Sequence, residues 1–251
     1  MLKKLQFFII FASIFNANAQ LKFDTWLFSV QPTLGGKIGL HTDKEQKFKD
    51  SFKKTDQLRQ SIGFNIYSLI EISNKNKLQI GLQYQNFGLT RKVEDIKFAD
   101  TIHPKIGIRN DLVDVGPSWV EFRYRYHYIA IPFLFIKTIK ESKTKPGSLH
   151  FVAGGALSGL IKQDINAKFF GFSFGKNKNV KFNEDDVNAG IINANIQIGI
   201  RYENKVYGEN TSIYLQPNLY CAILPSNYGV NKSLLYSLGL EIGIKHYFEK
   251  K

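Results

Sequence analysis

From about residue 20 onward, apolar and polar positions alternate with period two, the period of a β-strand. The pattern is cleanest near the C-terminal end. Leu234, Tyr236, Leu238, Leu240, Ile242, Ile244, His246 and Phe248 form one face, against Ser233, Ser237, Gly239, Glu241, Gly243 and Lys245. Before it, Ile213, Leu215, Pro217, Leu219, Cys221 and Ile223 stand opposite Ser212, Tyr214, Gln216, Asn218 and Tyr220. Ile192, Ala194, Ile196, Ile198, Ile200 and Tyr202 do the same against Asn193, Asn195, Gln197, Gly199 and Arg201. Five earlier segments carry the pattern with more noise, beginning at Trp26, Ile62, Leu78, Val120 and Leu149. In the fourth, Val120, Phe122, Tyr124, Tyr126 and Tyr128 alternate with Glu121, Arg123, Arg125 and His127. The run Ile129 to Ile136 is then apolar on both faces, where a bulge or a change of phase is expected. Eight segments is an even number, as bacterial barrels require.

The content of the polar face decides which face points outward. It holds Gly, Ser, Asn, Gln and Tyr with isolated charges, which suits a narrow lumen; a solvent-facing strand carries more Lys and Glu. The segments also run to a dozen or more residues, and roughly 9–11 tilted residues cross the hydrocarbon layer. The expected fold is therefore all-β, an antiparallel up-and-down transmembrane barrel of eight strands. An unpaired strand edge in lipid costs several kcal/mol per group, so first and last strands must join. Lys37, Glu71, Glu121, Arg123, Arg125, Arg201, Glu241 and Lys245 are then expected to project into the lumen and pair as a structural ionic network. Connections should be long outside and short inside: 41–56, 94–118 and 164–186 read as long outer loops, and 73–76 and 203–208 as short turns. Within the first outer loop, 43–58 reads as a basic helical turn.

The N-terminus changes the address. Lys3 and Lys4, the apolar run Leu5 to Phe15 and Asn16-Ala17-Asn18-Ala19 together read as a secretory signal, expected to be cleaved after residue 19, with one barrel domain over 20–251. Cys221 is the single cysteine, so no intramolecular disulfide forms. The formal charge of +13 is spread over loops and turns without a basic stripe interleaved with stacking aromatics, which points away from nucleic acid.

Chemistry is sparse. The five histidines, His41, His103, His127, His150 and His246, are isolated in sequence; His127 and His150 fall on the expected inner faces of adjacent strands at different heights. No spacing of His, Cys or carboxylates suggests a metal, and no cofactor or catalytic motif is recognised. Phe169-Phe170-Gly171-Phe172-Ser173-Phe174-Gly175 is the most unusual stretch, read as a hairpin, a membrane-rim contact or a partner contact.

Tyr128-Ile129-Ala130-Ile131-Pro132-Phe133-Leu134 and Gly81-Leu82-Gln83-Tyr84 resemble strands of the PorT-like outer-membrane β-barrel family, with Ala130 in place of that family's usual Glu. More loosely, the chain resembles the eight-stranded OmpA/OmpX architecture. Glu241, Gly243, His246 and Phe248 lie in a segment similar to the assembly signal read by the outer-membrane insertion machinery; His246 and the trailing Glu249-Lys250-Lys251 depart from it. The resemblance implies fold and location: an outer-membrane protein whose partners are outer-membrane lipid, the insertion machinery, and a surface or secretion-system partner left open. The function expected is non-enzymatic, envelope-structural or surface-interacting through the outer loops. A lipid- or lipopolysaccharide-modifying enzyme and a narrow solute pore are the alternatives.

Overall fold

The computed structural model describes residues 25–39, 56–94, 119–141, 147–170, 178–182, 190–207, 210–226 and 233–248. The expected signal sequence at 1–19 lies outside them, as does the helical turn expected at 43–58 up to residue 55; its last residues, 56–58, are β-strand and not helical. Most of the outer loops at 41–56 and 94–118, and the stretch 171–175, lie outside them too.

Among the described residues nine strands form one sheet: β1 (Thr25–Gly39), β2 (Asp56–Ser73), β3 (Asn76–Glu94), β4 (Trp119–Glu141), β5 (Gly147–Phe170), β6 (Lys178–Phe182), β7 (Ile192–Tyr207), β8 (Thr211–Ala222) and β9 (Ser233–Tyr247). Eight are long and wind antiparallel, each beside the next in sequence except that β5 is followed in the wall by β7. The sheet closes on itself, because β1 pairs with β9 from Thr25↔Tyr247 to Gly39↔Ser233. Short connections at 74–75, 142–146 and 208–210 gather at one end and the long ones at the other, so by barrel topology the second end is extracellular.

The polar face is the inner one. Along β1, Thr25, Ser29 and Gln31 are buried while Trp26, Phe28, Val30, Leu34 and Ile38 are exposed. Gln216, Asn218 and Glu241 are buried opposite exposed Leu215, Leu219, Leu240 and Ile242. A globular core inverts this order. Apolar side chains turned outward around a closed wall, with backbone groups paired, match what a hydrocarbon solvent demands. The protein is a transmembrane β-barrel of the outer-membrane type.

Three expectations need correction. The apolar run Ile129–Ile136 keeps its phase, with Ala130, Leu134 and Ile136 buried inside; the irregularity lies next to it, where Ile161 of β5 is extra between Tyr128↔Leu160 and His127↔Lys162. The segment from Asp164 is not all loop. β5 continues to Phe170, and from Ile165 to Phe169 it pairs with β6 rather than with β7, whose pairing reaches only Gly159. The third concerns β4, where Val120, Tyr126 and Tyr128 are the buried inner face. Glu121, Arg123, Arg125 and His127 therefore stand on the outer wall and not in the lumen. The physical reason is height. An outward face must be apolar only where it meets hydrocarbon, and these residues lie beyond the band of Ile129, Phe133 and Phe135, which are exposed on the same face.

Candidate functional site

Inside the lumen, Arg201 of β7 is 1% exposed and Glu241 of β9 is 0% exposed. Neither is bonded directly to an opposite charge. Arg201 donates from Nε to Gln216 Oε1 (2.6 Å) and from Nη2 to Gln79 Oε1 (2.7 Å). Glu241 accepts from Ser29 Oγ (2.7 Å), Tyr214 Oη (2.8 Å) and Asn218 Nδ2 (3.2 Å). Tyr214 joins the two, since the Arg201 guanidinium lies 4.4 Å from its ring centroid. Gln216 Nε2 donates to Asn218 Oδ1 (2.7 Å), a second bridge between them. Gly243 makes the room: a Cβ there would run into the Tyr214 ring. Above this layer, Gln83 Nε2 reaches Tyr220 Oη (3.1 Å), Tyr220 donates to Gln31 Oε1 (2.9 Å), and Asn195 Nδ2 donates to Gln85 Oε1 (3.1 Å). These bonds tie β3 to β7 and β8 on the opposite wall.

The remaining lumen candidates sit at the two mouths. Lys37 lies 3.4 Å from Asp56, which also takes Arg91 Nε at 2.7 Å. At the short-turn end Lys245 pairs with Glu203, and Lys77 with Glu71 at 2.6 Å. There, too, Ser148, His150 and Glu203 come together, a grouping the sequence did not reveal. His150 Nε2 lies 2.8 Å from Ser148 Oγ and 3.8 Å from Glu203 Oε2, while Nδ1 faces Thr138 Oγ1 at 3.1 Å. A nucleophilic triad needs the acid on the ring nitrogen that does not hold the serine. Here both approach Nε2. Among the described residues no group of three His, Cys, Asp or Glu side chains could hold a metal ion.

On the outer wall the register aligns polar residues in lateral rows. Gly88 of β3, Arg125 of β4 and Asp164 of β5 share one row; Asn86, His127 and Lys162 share the row nearer the apolar band; Thr90, Arg123 and Asn166 share the row beyond. Arg59 of β2 reaches over Gly88 to donate from Nη1 to the Tyr124 carbonyl (3.0 Å). A Cβ on Gly88 would run into the Tyr124 carbonyl first and lie 2.6 Å from that nitrogen, so glycine leaves room for the neighbouring backbone and for the guanidinium bonded to it. His127 Nδ1 is 2.6 Å from Tyr84 Oη, and its Nε2 is 3.4 Å from Asp164. Lys162 is 3.2 Å from Asp164, and Arg123 pairs with Glu121. Higher still, Trp119 and Phe170 stack at 3.7 Å with Lys92 over the Trp119 ring.

Of the four assembly-signal positions, Glu241 and Gly243 face the lumen network just described, whereas Phe248 is exposed. His246 Nδ1 lies 3.0 Å from Thr211 Oγ1, and its ring packs edge-on against Phe248 at 4.6 Å.

No family model and no curated protein matches the chain, so the PorT-like assignment is not confirmed; what stands is the eight-stranded barrel. Similar solved structures are outer-membrane barrels. The attachment invasion locus protein Ail of Yersinia pestis, solved with the heparin analogue sucrose octasulfate, shares 11% identity over 88% of this chain and 97% of its own, with a TM-score of 0.37. Neisserial surface protein A shares 10% over 89% and 97%, with a TM-score of 0.40. The outer-membrane protease OmpT of Escherichia coli shares 11% over 92% and 99%, with a TM-score of 0.43. A protease among these barrels overturns the expectation that this protein is not an enzyme; at such identity the likeness assigns it no reaction either.

Proposed function

We propose that the protein is exported to the outer membrane and acts there as a plugged barrel carrying a tall sheet wall for contact with a surface partner. The observation behind this reading is unequal height. β4 and β5 run 23 and 24 residues while β8 runs 12. On β4 the ten residues 119–128 lie beyond the apolar band, about 33 Å of strand before tilt is allowed for. β6 and the Trp119–Phe170 stack stiffen that extension. A strand that only spans lipid has no need of the excess.

The lumen supports the same reading, because the Arg201, Gln83 and Asn195 bridges stand where a solute would pass. In our reading they and the mouth ion pairs form a structural plug. We assign β9 and the exposed Phe248 that follows it to recognition by the insertion machinery.

The test replaces residues 163–182 by a short turn. The shortened protein should keep the heat-dependent gel mobility of a closed barrel and leave the envelope as resistant to bile salts as before, while attachment of the cells to their substratum falls. Unchanged attachment with a leaking envelope would overturn the surface role in favour of an envelope-structural one.

A further inference from the structure

With the next row, where Glu121 stands between Lys92 and Lys168, the outer wall holds six cations, Arg59, Lys92, Arg123, Arg125, Lys162 and Lys168, against two carboxylates, Glu121 and Asp164. Glu121 engages Arg123, and Asp164 faces both Lys162 and His127. Arg59 lies within the field of Arg123 and Arg125 as well as of Asp164, so like charges are held together here without full compensation. One nitrogen in the cluster, Arg125 Nε, is covered yet makes no hydrogen bond, while His127 Nε2 has the Asp164 carboxylate 3.4 Å away. A covered donor without an acceptor is costly, and here the orphan nitrogen and the surplus of cations around it together call for a partner. The partner they call for is anionic and rich in acceptor oxygens.

Position narrows its source. The row of His127 and Lys162 sits one outward step from Ile129, and Tyr84, whose hydroxyl meets His127, stacks on outward Phe64 at 6.3 Å. A ligand whose oxygens rest on Arg125 and His127 would have anything attached below it lying against Ile129 and Phe133, both exposed. That is the arrangement of a phosphorylated headgroup above acyl chains.

We propose that the wall of β2 to β5 around Arg59, Arg125, His127 and Lys162 is a binding site for the phosphate of an outer-leaflet glycolipid. Arg125 and Arg59 supply charge, and the His127 ring donates from Nε2 when Tyr84 donates to Nδ1. Planar guanidinium groups suit phosphate oxygens better than ammonium does. The proposal requires only the membrane reading of the barrel, not the surface-partner role.

The test is native mass spectrometry of the full barrel released from mild detergent with bisphosphorylated lipid A, with the same lipid after phosphatase treatment, and with inorganic phosphate as competitor. The expected result is retention of the phosphorylated lipid at least tenfold above the dephosphorylated one, unaffected by millimolar phosphate. An Arg59→Gln/Arg125→Gln double variant should lose that preference, whereas Lys137→Gln, on the same strand beyond the other edge of the band, should keep it. Heat-dependent gel mobility establishes that each variant is folded, and the comparison of the two lipids on the unaltered protein needs no variant. Equal retention of both lipids, displacement by free phosphate, or a folded double variant that still prefers the phosphorylated lipid would each overturn the proposal.

Discussion

In the lumen, Arg201 and Glu241 are wrapped by amides and hydroxyls at 2.6 to 3.2 Å and share Tyr214 between them. On the outer wall, Arg125 and Arg59 stand beside further cations, and Arg125 Nε has no acceptor. The residue types are the same and the environments differ in purpose. The interior surrounds its charges with groups of the protein itself, even though neutral atoms there, Gln79 Nε2, Tyr67 Oη and both amide atoms of Gln197 among them, make no hydrogen bond; a buried charge is the group that can least be left alone. A wall at the edge of the hydrocarbon can leave groups open to what the membrane supplies. The lumen charges should therefore be worth much to stability and the wall charges little, and substitutions can separate the two.

The largest effect is expected from Arg201→Leu. It strands the Gln79 and Gln216 carbonyls and leaves Glu241 as a buried charge without its counterweight, a change of the kind that costs about 3–5 kcal/mol. Urea-induced loss of cold-gel mobility measures it, and a cost under about 1 kcal/mol would mean the lumen is wetter than its hydrogen bonds imply. Next comes Glu241→Gln, which keeps the side chain's shape and one acceptor but turns an NH2 toward donors. A loss of about 1.5–3 kcal/mol is expected in the same assay, since the bonds broken are charge-assisted. Smaller again is Gly243→Ala, whose methyl must displace the Tyr214 ring and with it the phenol bond to Glu241. Overpacking of this kind costs roughly 1–3 kcal/mol. Pairing it with Tyr214→Phe should give less than the sum of the two changes, because both strike one hydrogen bond.

The same contrast explains what the sequence made legible. In β7, β8 and β9 the alternation reads correctly because nearly every outward residue there, Ile196, Ile198, Leu215, Leu219, Leu240 and Ile242 among them, meets lipid. In β4 the rule misleads. Tyr126 and Tyr128 are apolar enough to pass for lipid-facing and polar enough to fill a lumen, and the strand runs on past the level where lipid would decide. β5 hides its upper half differently: the extra Ile161 moves the inward positions from Ser158 to Gln163 and Ile165, so a continuous strand reads as the start of a loop. Lys37, Arg201, Glu241 and Lys245 could be read as lumen residues from their strands alone. Arg59 could not, because its place depends on a glycine in the next strand and on the irregularity in the β2–β3 register between Leu58 and Phe64.

The smallest stability effect, and the sharpest test of the contrast, belongs to Arg125→Gln. If the wall cations were structural, removing one would cost as much as removing Arg201. The geometry argues otherwise. Arg125 makes no hydrogen bond through Nε, it and Arg59 repel each other, and the Asp164 beside it retains Lys162 and His127. Substitution should therefore leave the unfolding midpoint within about 0.5 kcal/mol of the original or raise it slightly, since relief of repulsion offsets the lost attraction to Asp164. The measurement is the same urea titration, run in detergent that carries no anionic lipid. Repeated in vesicles containing phosphorylated glycolipid, it should show the unaltered protein gaining stability and Arg125→Gln gaining less, because a ligand stabilises only the state that binds it. A loss of more than about 2 kcal/mol in plain detergent would place Arg125 with Arg201 and remove the distinction between lumen and wall.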